Sequence, residues 1–213
     1  METSIYLIRH GQTDWNKDKI FRGRADVPLN ERGRKEAQAL SRHLEHVRAT
    51  ACYASPLGRT IETAGIVARP HSLEVRIDDR LIDLDFGEWQ GKPETEVKKT
   101  FPELFKKWHQ EPHRARFPGG ESLAMVRKRA LASLEHIRAE NPGGVVFVVS
   151  HRVVTKVLMA IALGLSNSAF GRFRQDNCAY NIIELSDDGM VVTLMNDTCH
   201  LRSADTAPSL GDF

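Results

Sequence analysis

Ile5-Tyr6-Leu7-Ile8-Arg9-His10-Gly11-Gln12-Thr13 begins as an apolar run and passes directly into an arginine, a histidine and a glycine. A continuous apolar run of this kind is typical of a strand that is buried on both faces of a sheet. In open α/β sheets, ligands bind beyond the carboxyl ends of the strands. A neutral imidazole at His10 can attack a ligand there while the guanidinium of Arg9 holds an anion, which indicates phosphoryl transfer through histidine.

A second apolar run, residues 145–149, ends in the same way, at Ser150 and His151. If the two strands lie side by side in a parallel sheet, their carboxyl ends meet at one edge. We therefore expect His10 and His151 to project from that edge with a phosphate-sized gap between them, so that both contact one anion.

Between these strands, Ser55-Pro56-Leu57-Gly58-Arg59 follows a short apolar segment and precedes a helical pattern. Serine is a favourable helix cap and proline suits the first helical position, so Ser55 is predicted to cap a helix that begins at Pro56. Arg59 then lies in the first turn or just beyond it. A helix amino terminus that carries an arginine attracts oxyanions.

Six ordered motifs resemble those of the histidine phosphatase superfamily, which includes cofactor-dependent phosphoglycerate mutases and many small phosphatases. They are Leu-Ile-Arg-His-Gly-Gln-Thr from Leu7, Phe-Arg-Gly-Arg-Ala-Asp-Val-Pro-Leu-Asn from Phe21, Ser-Pro-Leu-Gly-Arg-Thr-Ile-Glu-Thr-Ala from Ser55, Leu-Ile-Asp-Leu-Asp-Phe-Gly-Glu-Trp-Gln-Gly from Leu81, Pro-Gly-Gly-Glu-Ser from Pro118, and Ser150-His151. The resemblance extends from about residue 5 to residue 201, which is nearly the whole chain.

The resemblance implies a role for each matching residue. His10 is the expected nucleophile that becomes phosphohistidine, and Arg9, Arg59 and His151 are expected to complete the phosphate pocket. Because these side chains neutralise the charge on the transferring phosphoryl oxygens, no metal and no cofactor is expected. The residues expected to hold the phosphate and the rest of the substrate are Arg9, Asn16, Arg22, Gly23, Arg59, His151 and Arg152.

A departing alkoxide needs a proton, and a carboxyl group with a raised pKa can donate it and later take one from water. The family usually has a glutamate four residues before the glycine of its Phe-Gly-x-Trp segment, where this chain has Asp83. We predict that Asp83 is the catalytic acid and base, although its side chain is one methylene shorter. Asp85 or Glu88 could act instead. Alternatively, Asp83 caps a turn and the chain is a slow or substrate-restricted phosphatase.

Arg152 is a second departure, because the family commonly has a glycine after its second histidine. The side chain could reach over the pocket and contact a carboxylate or a second phosphate on the substrate. It could equally remain solvated at the start of a helix. Arg22, where phosphatase relatives often have glutamine, leaves the same two alternatives open.

The composition favours one α/β domain that does not bind nucleic acid. The chain has 213 residues, of which 41% are hydrophobic, and 30 basic against 28 acidic residues give a formal net charge of +2. Nucleic-acid binders usually carry a broad positive field. The short basic clusters Arg127-Lys128-Arg129 and Arg172-Phe173-Arg174 are therefore expected to be solvated surface.

Cys52, Cys178 and Cys199 are far apart and odd in number, which argues against a disulfide framework and favours a reducing compartment. No basic leader is seen at the N terminus, and the longest apolar helical stretch, residues 157–165, is too short to span a bilayer. We expect a cytoplasmic protein that acts on a small-molecule phosphate ester without a membrane partner, and we leave a homodimer open.

The nine histidines do not predict a metal site. His43 and His46 are three residues apart on an expected surface helix, whereas His109 and His113 are separated by Pro112, which breaks helical facing. Neither pair has a carboxylate or cysteine ligand at a useful spacing.

Strand and helix patterns alternate along the chain and predict a three-layer, doubly wound, mostly parallel sheet with helices on both faces, as in phosphoglycerate mutase-like folds. Residues 1–202 are expected to form a single histidine phosphatase domain, in which about residues 92–120 insert a helical lid. A flexible tail is expected for residues 203–213, which are small and polar.

Together, these observations predict a metal-independent phosphomonoesterase of the histidine acid type, which acts through phosphohistidine on a small phosphorylated metabolite. A phosphoglycerate mutase is the alternative, but classical mutases resemble a longer chain with an extra basic, tyrosine-rich segment. A second alternative is a phosphoester-binding module with weak or no turnover, which conflicts with the complete set of Arg9, His10, Arg59 and His151. The substrate itself is left open by the motifs.

Overall fold

The computed structural model describes residues 2–202 and contains one six-stranded mixed sheet. Its strands are β1 Thr3–Arg9, β2 Ala51–Ala54, β3 Val75–Ile77, β4 Val145–Ser150, β5 Tyr180–Ser186 and β6 Gly189–Asp197. They lie in the order β3-β2-β4-β1-β5-β6. The first four strands are parallel to their neighbours in this group, whereas β5 and β6 pair in the antiparallel sense. The predicted mostly parallel α/β sheet is confirmed.

β4 lies inside the sheet although it comes late in the chain, and it pairs with β1 on one side and β2 on the other. Arg9 at the end of β1 lies opposite Ser150 at the end of β4. The next residue of each segment, His10 or His151, therefore emerges at the same edge. The two imidazole rings lie 5.3 Å apart between centroids, so the predicted juxtaposition of the two histidines is confirmed.

Helices cover both faces of the sheet. They are α1 Asp14–Lys17, α2 Glu31–Leu44, α3 Gly58–Ala68, α4 Glu94–Thr100, α5 Pro102–Gln110, α6 Leu123–Glu140 and α7 Arg152–Ala162. Successive residues of a strand point to opposite faces. Val146 and Val148 of β4 accordingly share an apolar cluster with residues of α6 and α7, whereas Phe147 and Val149 share another with residues of α2 and α3. Each side of the sheet thus has its own core.

The segment that was expected to form a lid contains α4 and α5. Trp108 of α5 is buried and makes edge contacts with Phe86 and Phe117, at ring-centroid distances of 5.5 and 5.3 Å. Trp89 is also fully buried and lies 4.9 Å from Phe117. These aromatic contacts join α5 to the core beside α6 and α7, and the action of the segment as a lid stays a prediction.

The start of α3 differs from the prediction. The helix begins at Gly58, and its cap residue, Leu57, makes no side-chain cap bond; the Gly58 amide donates instead to Oδ1 of Asp26 at 2.8 Å. Ser55 is therefore not the cap and Pro56 is not the first helical residue, because the Ser55 hydroxyl is instead directed to His151, 2.7 Å from its Nε2 atom.

Among residues 2–202, none of the helices has the length and apolar character needed to cross a bilayer. The expected flexible tail, residues 203–213, lies outside the described residues.

Candidate active site

His10 directly follows β1, and only 1% of its surface is exposed. Its Nδ1 atom lies 2.7 Å from the carbonyl oxygen of Gly11. Because a carbonyl oxygen can only accept, Nδ1 carries the proton in this geometry and Nε2 keeps its lone pair. Burial, followed by the charges of Arg59 and Arg9, holds the pKa of His10 well below its usual range. The side chain is therefore a neutral imidazole with a nucleophilic nitrogen.

Two glycines in contact fix the turn that carries this imidazole. A Cβ atom at Gly11 would lie 2.5 Å from the carbonyl oxygen of Gly33, and one at Gly33 would lie 2.1 Å from the carbonyl oxygen of Gln12. Both distances are too short for a side chain, so the first turn of α2 packs directly against backbone. Glu36 of α2 also accepts from the amide of Gln12 at 2.9 Å.

Two fully buried arginines flank the imidazole. Arg9 donates from Nη1 to the carbonyl oxygen of Gln175 at 2.7 Å. Arg59 donates to the carbonyl oxygens of Ala25 and Gly23 at 2.7 and 2.8 Å. These backbone carbonyls orient both guanidinium groups and carry no net charge of their own, and an arginine so held can bind an anion.

His151 immediately precedes α7 and is fully buried. Its Nε2 atom lies 2.7 Å from the hydroxyl of Ser55, and its Nδ1 atom lies 3.8 Å from Oδ2 of Asp83. Burial, followed by the charge of Arg59, holds the pKa of His151 well below its usual range. An arriving phosphate dianion would favour the charged form and turn this ring into a strong donor.

Asp83 is 5% exposed and lies between His151 and Arg59, with its Oδ2 atom 3.6 Å from Nη2 of Arg59. Its other oxygen accepts from the amide of Leu84 at 2.9 Å. Burial raises the pKa of Asp83, and the charge of Arg59 opposes part of that rise. A carboxyl group in this position is protonated more readily than one in water, as a general acid requires.

The two alternative carboxylates are placed differently. Asp85 accepts from the amide of Gly87 at 2.8 Å and lies 3.6 Å from Nη1 of Arg24. Glu88 is exposed to solvent. Of the three acidic side chains in this segment, Asp83 is the one that reaches the buried cationic group.

Arg129 of α6 holds the loop that carries Asp83 through hydrogen bonds. It donates to the carbonyl oxygens of Arg80, Ile82 and Asp83, at 2.7, 2.5 and 3.0 Å. It also pairs with the carboxylate of Glu121 at 2.9 Å. The expectation that this basic cluster is solvated surface is wrong for Arg129, whose side chain is only 16% exposed because it turns inward to these acceptors.

A cavity of about 20 Å³ opens beside Asp83. Its lining is formed by Ile20, Phe21, Arg22, Gly23, Asp83, Phe86, Arg152 and Val153. A cavity of this volume is about large enough for one water molecule. Arg22 and Arg152 are both half-buried and both face this cavity, which differs from the alternative of fully solvated side chains.

Asn16 is buried, with 5% of its surface exposed. Its side-chain oxygen accepts hydrogen bonds from both the amide and the hydroxyl of Thr13 at 2.9 Å. These bonds close the turn before α1. A contact to phosphate would have to come from the amide nitrogen of Asn16, and this role stays a prediction.

Lys156 adds buried positive charge one turn beyond Arg152 and had no signal in the sequence, because it lies within an apolar helix. It is 8% exposed, and its Nζ atom lies 4.3 Å from the ring centroid of Phe170. Burial, followed by the charges of Arg152 and Arg9, lowers the pKa of Lys156 to about 7.

Comparison with known proteins agrees with this arrangement. A family model described as histidine phosphatase superfamily (branch 1) matches residues 5–198. Phosphoserine phosphatase 1 of Hydrogenobacter thermophilus is 39% identical over 92% of this chain and 93% of its own length. A probable phosphoglycerate mutase, GpmB of Yersinia pestis, is 30% identical over 92% of this chain and 94% of its own.

The fold comparison gives the same result. The solved structure of YhfR from Bacillus stearothermophilus superposes with a TM-score of 0.90 at 34% identity, covering 93% of this chain and 98% of that one. The prediction of a phosphatase of small phosphorylated metabolites is confirmed. With the family model matching almost from end to end, the chain belongs to the histidine phosphatase superfamily.

Proposed function

We propose that the enzyme works through a covalent phosphohistidine on Nε2 of His10. The observation that carries this proposal is the 2.7 Å contact between Nδ1 of His10 and the Gly11 carbonyl oxygen, which leaves Nε2 unprotonated. Nε2 forms a bond to phosphorus as the bond from phosphorus to the ester oxygen breaks. Arg9 and Arg59 stabilise the charge on the transferring phosphoryl oxygens, and His151 adds a donor from the neighbouring strand.

Asp83 supplies the proton chemistry in this mechanism. In its acid form it protonates the departing alkoxide and becomes a carboxylate. The carboxylate then takes a proton from water, whose oxygen attacks phosphorus and releases phosphate and neutral His10. The burial of Asp83 between Arg59 and His151 supports this role. Because Asp83 has to be protonated, we propose turnover on the acid side of neutrality and, with it, assignment to the histidine acid type.

The charge at the mouth supports a substrate with a second anionic group. Beyond the arginines that flank His10, the positive side chains of Arg22 and Arg152 line the cavity, whereas Asp83 is its one lining carboxylate among the described residues. A carboxylate a few bonds from the phosphorus would balance this excess. Similarity to a phosphoserine phosphatase points the same way, and we propose a phosphorylated amino or hydroxy acid such as phosphoserine.

The proposed function is tested by measuring phosphate release from phosphoserine, phosphoethanolamine, 3-phosphoglycerate and a sugar phosphate in the presence of chelator. Phosphoethanolamine is phosphoserine without its carboxylate, so it is the matched control. Release in chelator with a clear preference for phosphoserine supports a metal-independent phosphatase and the proposed substrate class. Equal rates on the two esters would overturn the substrate class.

The same assay separates the other candidate activities. Isomerisation of 3-phosphoglycerate without phosphate release would make the enzyme a mutase. This outcome is tested because the chain is similar to GpmB, a probable phosphoglycerate mutase. No reaction on any ester, together with binding of phosphoserine, would instead identify a phosphoester-binding module.

We further propose that residues 1–202 form one domain, that residues 92–120 act as its lid, and that the protein is cytoplasmic. The cysteines Cys52, Cys178 and Cys199 are free thiols, which supports a reducing compartment. A homodimer stays a prediction.

A further inference from the structure

Four side chains that can bind a metal meet where α2 faces the end of β6, at a place that none of the catalytic candidates occupies. One ligand atom from each of Asp197, Cys199 and His200 lies within 4.8 Å of the others. His43, near the end of α2, joins them, with its Nε2 atom 3.7 Å from Sγ of Cys199 and its ring 5.6 Å from that of His200. His43 and Cys199 are 156 positions apart in the chain, which explains why no third ligand is visible beside the pair of His43 and His46.

The distances suit a tetrahedral zinc site. Zinc binds sulfur at about 2.3 Å and imidazole nitrogen at about 2.0–2.1 Å, so two such ligands on one ion lie roughly 3.6 Å apart. Cys199 and His43 already have this separation, at 3.7 Å. The ligand atoms of Asp197, Cys199 and His200, which lie within 4.8 Å of one another, have to approach more closely to reach zinc-bonding distance.

The hydrogen bonding of His200 also suits a metal. Among the described residues, neither buried ring nitrogen of His200 makes a hydrogen bond of normal geometry, although the backbone of Cys178 lies close to the ring. Buried nitrogens without partners are costly, and an ion would satisfy one of them.

The other two ligands form a pair of their own. The Cys199 thiol is hydrogen-bonded to the Asp197 carboxylate. A bound dication would replace the shared proton. The hydroxyl of Tyr180, which lies 3.1 Å from Nε2 of His43, is released from that nitrogen when the ion binds.

We propose that His43, Asp197, Cys199 and His200 bind one Zn²⁺ ion and that this site joins α2 to the chain segment after β6. Cys199 releases its thiol proton to solvent as the zinc–sulfur bond forms, and the thiolate and the Asp197 carboxylate together balance the charge of the ion. One sulfur, two imidazole nitrogens and one carboxylate favour Zn²⁺ over Mg²⁺ or Ca²⁺. With four protein ligands the site is closed, and its role is structural.

The test is a titration of the full chain, stripped of metal, with Zn²⁺ followed by calorimetry and with Co²⁺ followed by absorption. We expect one equivalent of Zn²⁺ to bind, and the Co²⁺ form to show a thiolate charge-transfer band that disappears in Cys199→Ser. His43→Ala and His200→Ala should weaken Zn²⁺ binding at least tenfold. His109→Ala, which removes an exposed histidine of α5, is the matched control and should bind Zn²⁺ like the wild type.

Stability provides a second readout. At a hundredfold excess over its dissociation constant, Zn²⁺ should raise the Tm of the wild type by roughly 5–10 °C and leave that of Cys199→Ser unchanged. Phosphate release should persist in the metal-free enzyme, because no proposed catalytic group lies in the site, and it reports that each variant is folded. Absence of Zn²⁺ binding, or a wild-type Co²⁺ complex without the thiolate band, would overturn the proposal even if a variant fails to fold.

Discussion

Oδ2 of Asp83 lies 3.6 Å from Nη2 of Arg59, and this contact couples the proton donor to the phosphate pocket. Burial raises the pKa of Asp83, whereas the positive charge of Arg59 lowers it. A phosphate dianion bound to Arg59 neutralises that charge, so the pKa of Asp83 rises further once the substrate is present. The acid is therefore most fully protonated when a leaving group needs its proton.

Asp83→Asn should lower kcat for an alkyl phosphate on the order of a hundredfold or more, because an amide keeps the size of the side chain but cannot donate an acidic proton. The loss should be smaller for p-nitrophenyl phosphate, whose leaving group needs little protonation. Steady-state kinetics on both esters measure the difference. Glu88→Gln removes an exposed carboxylate nearby and is the matched control. If Glu88→Gln or Asp85→Asn were the damaging change instead, the acid role would pass to that residue.

His10→Ala should abolish phosphate release and the acid-labile phosphoenzyme, because the nitrogen that bonds to phosphorus is gone. Rapid quenching with labelled substrate detects the intermediate in the wild type, and circular dichroism checks the fold of the variant. His109→Ala serves as the control for loss of a histidine elsewhere. Wild-type turnover by His10→Ala would disprove the mechanism.

The pH profile of kcat/KM follows from two opposite pKa shifts. Asp83 must be protonated, and since burial raises its pKa, the active form persists above the usual carboxyl range of about 3.9 and is lost as the pH rises through the shifted value. His10 must be neutral, and since its pKa lies well below the ordinary 6.5, it stays neutral as the pH falls. We expect a maximum on the acid side of neutrality. Asp83→Asn should remove the alkaline limb, and an unchanged limb would contradict this assignment.

Arg129→Met should lower kcat by at least tenfold, because the carbonyl groups around Asp83 lose their shared donor and the carboxyl group shifts. Inhibition by inorganic phosphate should stay near the wild-type level, since Arg129 acts through Asp83 and not on the phosphate. Lys128→Met, at an exposed neighbouring position, is the matched control. Equal weakening of phosphate inhibition and kcat would mean general disorder of the pocket and not a positioning role.

Arg152→Ala should lower kcat/KM for phosphoserine about 10- to 100-fold, as expected for loss of a hydrogen bond between charged groups, and leave phosphoethanolamine within twofold. The ratio of the two kcat/KM values is the measurement. Arg172→Ala removes an exposed arginine of similar reach and should leave the ratio unchanged. An unchanged ratio in Arg152→Ala would show that this side chain does not contact the carboxylate.

The central part of the site could be predicted because it depends on short-range patterns. His10 and His151 each end an apolar run, and parallel pairing of two such strands places both residues at one edge. The placement of the two histidines needs only strand direction and chain order. The acid role of Asp83 could be proposed only from the resemblance to the histidine phosphatase superfamily, which usually has a glutamate at that position.

Contacts made by side chains of distant helices could not be predicted. Arg129 has the charge pattern of solvated surface, and only the packing of α6 turns it toward the carbonyl oxygen of Asp83. Ser55 has the pattern of a helix cap, but its hydroxyl is directed to His151. Neither outcome is encoded in local spacing, because each depends on which element lies opposite in the folded chain.

The position of β4 has a consequence for synthesis of the chain. β1 and β2 do not pair with each other, and each has one edge paired in parallel with β4, which begins at Val145. Until the ribosome has released about two thirds of the polypeptide, no strand lies between β1 and β2, and both expose an unpaired edge. A nascent chain that stops before Val145 should therefore bind chaperones and have no activity, and enzyme activity should arise late in translation, when one strand joins both halves of the sheet.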